Sequence, residues 1–108
     1  MNRAPQQPFY SLNVVRALAL EKKIRFKPRS DGKSNPAFIM IDEDEAVSII
    51  AGLSLRDFKC TDELEGKAPA DVYMTSYKRP ESGVRFNIYI KLAVRKDGKL
   101  LLIISFHK

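Results

Sequence analysis

The chain holds a single cysteine and a single histidine in 108 residues. One thiol cannot close an internal disulfide, which removes stapled extracellular scaffolds and fits a reducing compartment. One Cys with one His also falls short of the ligand set of a structural zinc site. No apolar run is long enough to span a bilayer, and the opening "MNRAPQQPFYSLNVV" lacks a basic stretch leading into a long apolar one. Neither a membrane segment nor a secretion signal is therefore expected, and the expected location is cytoplasmic. Acidic residues are also in deficit: 13 Asp plus Glu stand against 19 Lys plus Arg, a net charge of +6. An excess of that sign draws polyanions or an acidic protein partner, although solubility alone also accounts for it.

What is present points to one globular domain, with 44% apolar and 30% charged residues and enough length for one modest core. Residues 1–8 are polar and Pro-rich and read as a disordered arm, leaving 9–108 as a single domain. After Ser11, a candidate N-cap, Leu12, Val15, Leu18 and Ala19 follow helical spacing, and a helix is expected over about residues 10–24. Residues 25–36, "RFKPRSDGKSNP", read as a basic loop. In "IDEDEAVSIIAGLS" a second helix is expected over about 42–53, with Asp42 and Glu45 as a capping box and Gly52 as its end. Its buried stripe is Ala46, Val47, Ile50 and Leu53. Capping and the helix dipole explain the acidic cluster more cheaply than a metal site. Ser54 and Asp57 have the spacing of a further capping box.

The last third alternates as strands do. "DVYMTSYK", "VRFNIYIKLAVR" and "LLLIISFHK" are separated by the turns "RPESG" and "KDGK", giving strands near 70–78, 84–95 and 99–107. The expected class is α+β, with N-terminal helices packed on a C-terminal antiparallel sheet. Phe86, Ile88, Ile90, Leu92 and Val94 share a core face, while Arg85, Asn87, Tyr89, Lys91 and Arg95 share the other. With Val72 and Met74 inward, Tyr73 and Tyr77 join Tyr89 outside. A tyrosine among cations is a stacking platform for single-stranded nucleic acid, and an ordinary solvated surface is the alternative.

The only histidine, His107, raises a question of register. A two-residue Asp97–Gly98 loop pairs it with Ile88 and turns it toward the core. A three-residue Lys96–Asp97–Gly98 loop, with Gly98 left-handed, pairs Ile88 with Phe106 and Asn87 with His107. The second register turns Leu100, Leu102, Ile104 and Phe106 inward and sets Ser105 and His107 beside Tyr89. It is favoured because burying Phe106 costs less than burying a histidine. RNA cleavage without a metal needs a base, an acid and cations for the phosphorane. Tyr89, Lys91, Arg79 and His107 are the candidates for these services.

The segments "SIIAGLSLRDFKCT", "DVY", "YIKLAV" and the closing "ISFHK" resemble the MqsR family of bacterial toxins over about residues 48–108. "YSLNVVRALALEKKIRF" resembles the family's first helix more loosely. The resemblance implies a RelE-like fold and a messenger-RNA endoribonuclease that uses no metal or other cofactor. Its implied partners are mRNA and a cognate antitoxin protein that holds it inactive, with the ribosome a further one. The family's catalytic Tyr falls on Tyr89, its Asp-Val-Tyr on Asp71, Val72 and Tyr73, and its basic residue after the terminal Ser-Phe on His107. Its catalytic Lys position falls on Cys60, with Lys59 one place early, and its Gln before Asp-Val-Tyr falls on Ala70. One residue along a strand reverses the face, so Lys59 substitutes where a bulge re-aims it. The expected site is thus Tyr89, His107 and Lys59 as catalytic groups, with Lys91, Arg79, Tyr73, Tyr77 and Arg95 holding RNA. The alternative is a non-catalytic RNA- or protein-binding module of a mobile element, using the same face.

Overall fold

Helix α1 (Leu12–Leu20) buries Leu12, Val15, Leu18 and Ala19, the residues whose spacing marks one helical face. It is shorter than the spacing suggests because Lys22 takes a left-handed φ of 59°. The Lys22 N–H returns to the Ala19 carbonyl and the Lys23 N–H to that of Leu18, which satisfies the last turn and ends the helix. The chain leaves this cap directly into a short strand, β1 (Ile24–Phe26). The sequence pattern places a loop from residue 25, because three residues are too few to display a period. The structure, a computed structural model, describes residues 7–26, 43–63 and 68–107. Most of the basic loop, the cap candidate Asp42 and residues 1–6 of the arm lie outside them.

Helix α2 (Glu43–Ala51) buries Ala46, Val47, Ile49 and Ile50, and Leu53 completes the stripe beyond Gly52. Its first turn carries Glu43, Asp44 and Glu45, charges that complement the positive end of the helix dipole. Immediately afterwards the Ser54 N–H donates to Asp57 Oδ2 at 2.9 Å, and the Asp57 N–H donates to the Ser54 carbonyl at 3.0 Å. This closes a single 3₁₀ turn, Leu55–Asp57, and feeds the chain into β2 (Phe58–Asp62).

Strands β3 (Ala70–Lys78), β4 (Arg85–Val94) and β5 (Leu101–His107) follow. The five strands lie in the order β1-β5-β4-β3-β2. From β2 to β5 every pairing is antiparallel, but β1 runs parallel to β5, so the sheet is mixed. Both helices share one core with Ile88, Ile90, Leu92, Leu101, Ile103 and Phe106. The fold is α+β with its helices on one face of the sheet. Among the described residues the other face carries no helix.

Two strands correct the face assignments. In β3, Tyr73 pairs with Ile90 and Tyr77 with Phe86, so both tyrosines point to the helix side. Tyr73 is fully buried, whereas Met74 is 44% exposed. The face is decided by partners rather than by hydrophobicity. Tyr73 packs edge-on against Phe58 at 5.6 Å, and the Tyr77 hydroxyl donates to Glu45 Oε2 at 2.8 Å. Even Asp71 turns inward, where its carboxylate accepts the N–H groups of Phe9 and Tyr10, each at 2.9 Å, and the Thr61 hydroxyl at 2.6 Å.

In β5 the favoured three-residue-loop register, with Ile88 opposite Phe106, is absent, and the two-residue-loop register holds only near the turn. Near the turn Val94 pairs with Leu101 and Leu92 with Ile103, yet farther on Lys91 pairs with Ser105 and Tyr89 with His107. Ile104 is therefore an extra, bulged residue. Leu101, Ile103 and Phe106 are buried, in place of the expected inward set Leu100, Leu102, Ile104 and Phe106. Because β5 is apolar at both parities, alternation cannot select between them. The bulge lets the aliphatic pair and Phe106 share the core while His107 stays outside.

Candidate functional site

The helix-free face is organised by β4, whose outward residues include Asn87, Tyr89 and Lys91. Tyr89 pairs laterally with Met74 on β3 and with His107 on β5, so these three form a row across the sheet. The rings of Tyr89 and His107 stack, with centroids 4.8 Å apart and planes 21° from parallel. Phenol and imidazole both carry protons, so the stack joins two proton-transfer groups in one flat surface. One step along, Lys91 pairs with Val72 and Ser105. Its ammonium is held 2.6 Å from Asp62 Oδ2, and its side chain is only 19% exposed. The long lysine reaches across β3 to β2, and the carboxylate fixes where its charge lies.

The position of Lys59 follows from a second bulge. Phe58 pairs with Tyr73 on the inner face, while Cys60 pairs with Val72 on the outer one. The parity changes at Lys59, the extra residue of the bulge. Lys59 accordingly lines an outward-facing groove of about 340 Å³ together with Asp57, Met74, Thr75, Ser76 and Asn87. A bulge that re-aims Lys59 is thus present in this fold. Cys60 itself is an exposed free thiol.

Several expected contacts lie elsewhere. Tyr73 and Tyr77 face the helices, and burial, with Asp71 and Asp57 adding to it, pushes the Tyr73 phenol well above its ordinary pKa. Arg79 also turns to the helix side. Its Nε donates to Glu45 Oε2 at 3.0 Å, a terminal nitrogen donates to Oε1 at 3.1 Å, and its guanidinium lies over the Phe86 ring at 5.3 Å. This fork, followed by the Tyr77 hydroxyl, holds the Glu45 carboxyl below its usual value. Arg95 stands at the hairpin end, bonded to Asp97 at 2.6 Å. That guanidinium, with the Lys99 N–H, pulls the Asp97 pKa down to about 2.

The structure therefore gathers Lys59, Tyr89, Lys91 and His107 on one face and removes Tyr73, Tyr77 and Arg79 from it. It adds Met74, which hydrophobicity places inside, and gives Asn87 a position beside the groove. The signal for Met74 is indirect: once Tyr77 is tied to Glu45, the pleat requires Met74 to point outward.

These features define a small basic α+β protein whose single sheet is covered by helices on one side and carries an aromatic and cationic row on the other. A family model described as motility quorum-sensing regulator, toxin of MqsA, matches residues 7–108, and the chain belongs to this MqsR toxin family. It is thus the toxin of a toxin–antitoxin pair, and the partner that the family implies is an antitoxin protein. No curated protein matches the chain. Among the described residues no helix is long and apolar enough to cross a membrane.

Proposed function

We propose that this protein is a cytoplasmic endoribonuclease that cuts mRNA on the helix-free face of its sheet. The stack of Tyr89 on His107, with Lys91 and the bulge-aimed Lys59 on the same face, carries this reading. The 2′-hydroxyl attacks the adjacent phosphorus, forming the 2′-O–P bond while the P–O5′ bond breaks. His107, as neutral imidazole, takes the 2′-OH proton, and the Tyr89 phenol gives a proton to the departing 5′-oxygen. Lys59 and Lys91 stabilise the negative charge of the phosphorane. Asp62 keeps the Lys91 ammonium in place before RNA arrives, so less ordering is left for the bound state.

The test is purified protein with synthetic single-stranded RNA and a chelator, with and without ribosomes, scoring binding and cleavage separately. The expected products end in a 2′,3′-cyclic phosphate and a 5′-hydroxyl. Affinity should fall steeply with salt, because each neutralised phosphate releases counterions. Protein that binds RNA but never cuts it under either condition would leave only the binding-module reading. An affinity insensitive to salt would leave a protein partner as the occupant of this face.

A further inference from the structure

Next to the Tyr89–His107 row lies the groove lined by Asp57, Lys59, Met74, Thr75, Ser76 and Asn87. Its volume of about 340 Å³ is in the range of small-molecule sites, at the size of one planar ring system with its substituents. Asn87 is exposed, and its side chain makes no hydrogen bond among the described residues. Asp57 is divided in its duties. Its Oδ2 accepts both the N–H and the hydroxyl of Ser54, at 2.9 and 3.2 Å, while Oδ1 accepts nothing among the described residues. Ser76 accepts one bond from Arg85 at 3.1 Å and retains its own hydroxyl hydrogen. Met74, 44% exposed, supplies an apolar, polarizable surface against which a ring can lie.

We propose that this groove is a base-recognition subsite for a nucleobase bearing an exocyclic amino group, with Asn87 as its specificity-determining residue. The inference rests on the RNA reading above and names which RNA the same face prefers. An amide offers a donor and an acceptor side by side, the pairing that fits the N7 and amino group of adenine, and a carboxylate oxygen accepts from an amino group such as that of cytosine. Uracil presents carbonyl oxygens on either side of an N3–H, with O4 where cytosine carries its amino group. That oxygen would meet Asp57 Oδ1, acceptor against acceptor, so the groove selects by repulsion as well as attraction. Lys59 at the rim neutralises the phosphate of the same nucleotide without reading its base. Asn87 is two residues from Tyr89 on the same face of β4, about 7 Å away along the strand. The base in the groove therefore belongs to a nucleotide flanking the one on the stack.

Short 2′-O-methyl oligouridines, which have no free 2′-hydroxyl to attack with, test this by fluorescence anisotropy. A single adenosine placed in the oligouridine should raise affinity by about tenfold, the effect of one good bidentate contact. Asn87→Ala should reduce that preference to less than about twofold. It should leave the affinity for plain oligouridine and the thermal unfolding midpoint unchanged, because the side chain is exposed. Equal affinity of the wild type for both oligomers, or a preference that survives Asn87→Ala, would overturn the subsite. The nuclease reading fails separately: base preference in binding with no cleavage of ordinary RNA keeps the subsite and removes the enzyme. No binding of any oligonucleotide overturns both.

Discussion

His107 stacks on Tyr89 because Ile104 is an extra residue in β5. Without the bulge, the pairing of Leu92 with Ile103 would continue unshifted along the strand. His107 would then stand opposite Ile88 and face the helices, while Phe106 would face water. Deleting Ile104 should remove the bulge and leave both residues in place, because Ser105 then follows Ile103 opposite Lys91 while Phe106 stays opposite Ile90. Phe106→Ala, which empties the core position that the bulge secures, should cost about 3–5 kcal/mol. Urea denaturation measures it. A cost near zero would mean that burial of Phe106 does not specify the observed register.

The chemical roles proposed for the stacked pair separate from their packing. Tyr89→Phe keeps the ring and its apolar contacts and removes only the phenolic proton. Cleavage should fall by roughly a hundredfold or more, with RNA affinity within about threefold of wild type. His107→Ala should lower cleavage by a similar factor. Single-turnover kinetics at saturating enzyme distinguishes these losses from weaker binding. Full activity in both variants would move the chemistry to Lys59 or Lys91.

Asp71 is a structural acid, although it lies on the strand that carries Met74. Its carboxylate is fully buried and ties Phe9, Tyr10 and Thr61 to the sheet. Tyr10 adds a second tie through its hydroxyl to the Pro69 carbonyl at 2.6 Å. Asp71→Ala leaves two backbone N–H groups unpaired and should destabilise the fold by about 3 kcal/mol. Hydrogen exchange at the amides of Phe9 and Tyr10 should rise together in this variant. Protection there that is independent of Asp71 would contradict the clasp.

Glu45 links acid stability to the same side of the sheet. Its folded pKa lies below the ordinary value, through Arg79 first and then Tyr77. A depressed carboxylate contributes stability that is present above its unfolded pKa and is lost as pH falls through the folded one. Unfolding free energy should therefore decline below about pH 4.3, where an unfolded glutamate begins to bind its proton more readily than the folded one does. Glu45→Gln should be less stable at neutral pH and show a shallower acid limb. Parallel pH profiles for variant and wild type would show that the fork with Arg79 contributes nothing.

Much of this protein was legible in its residues because local rules govern those parts. The buried stripes of both helices, the turn at Ser54 and Asp57, the core face of β4 and the left-handed Gly98 (φ 74°) follow from periodicity and capping chemistry alone. The family resemblance likewise rested on short motifs in order along the chain, and the family model extends it to residues 7–108. Tertiary structure decided the rest. The face of β3 depends on Glu45 and Phe58, which lie far away in sequence and reward inward-pointing tyrosines with a hydrogen-bond partner and a ring contact. Strand β1 exists because β5 offers an edge for it to pair with, not because three residues declare themselves. The two bulges that aim Lys59 and His107 have no local signature, since an inserted residue shows only against the strand it is paired with. Alternation along one strand sets which residues share a face, but only the neighbouring strand and the helices behind it determine which face meets water.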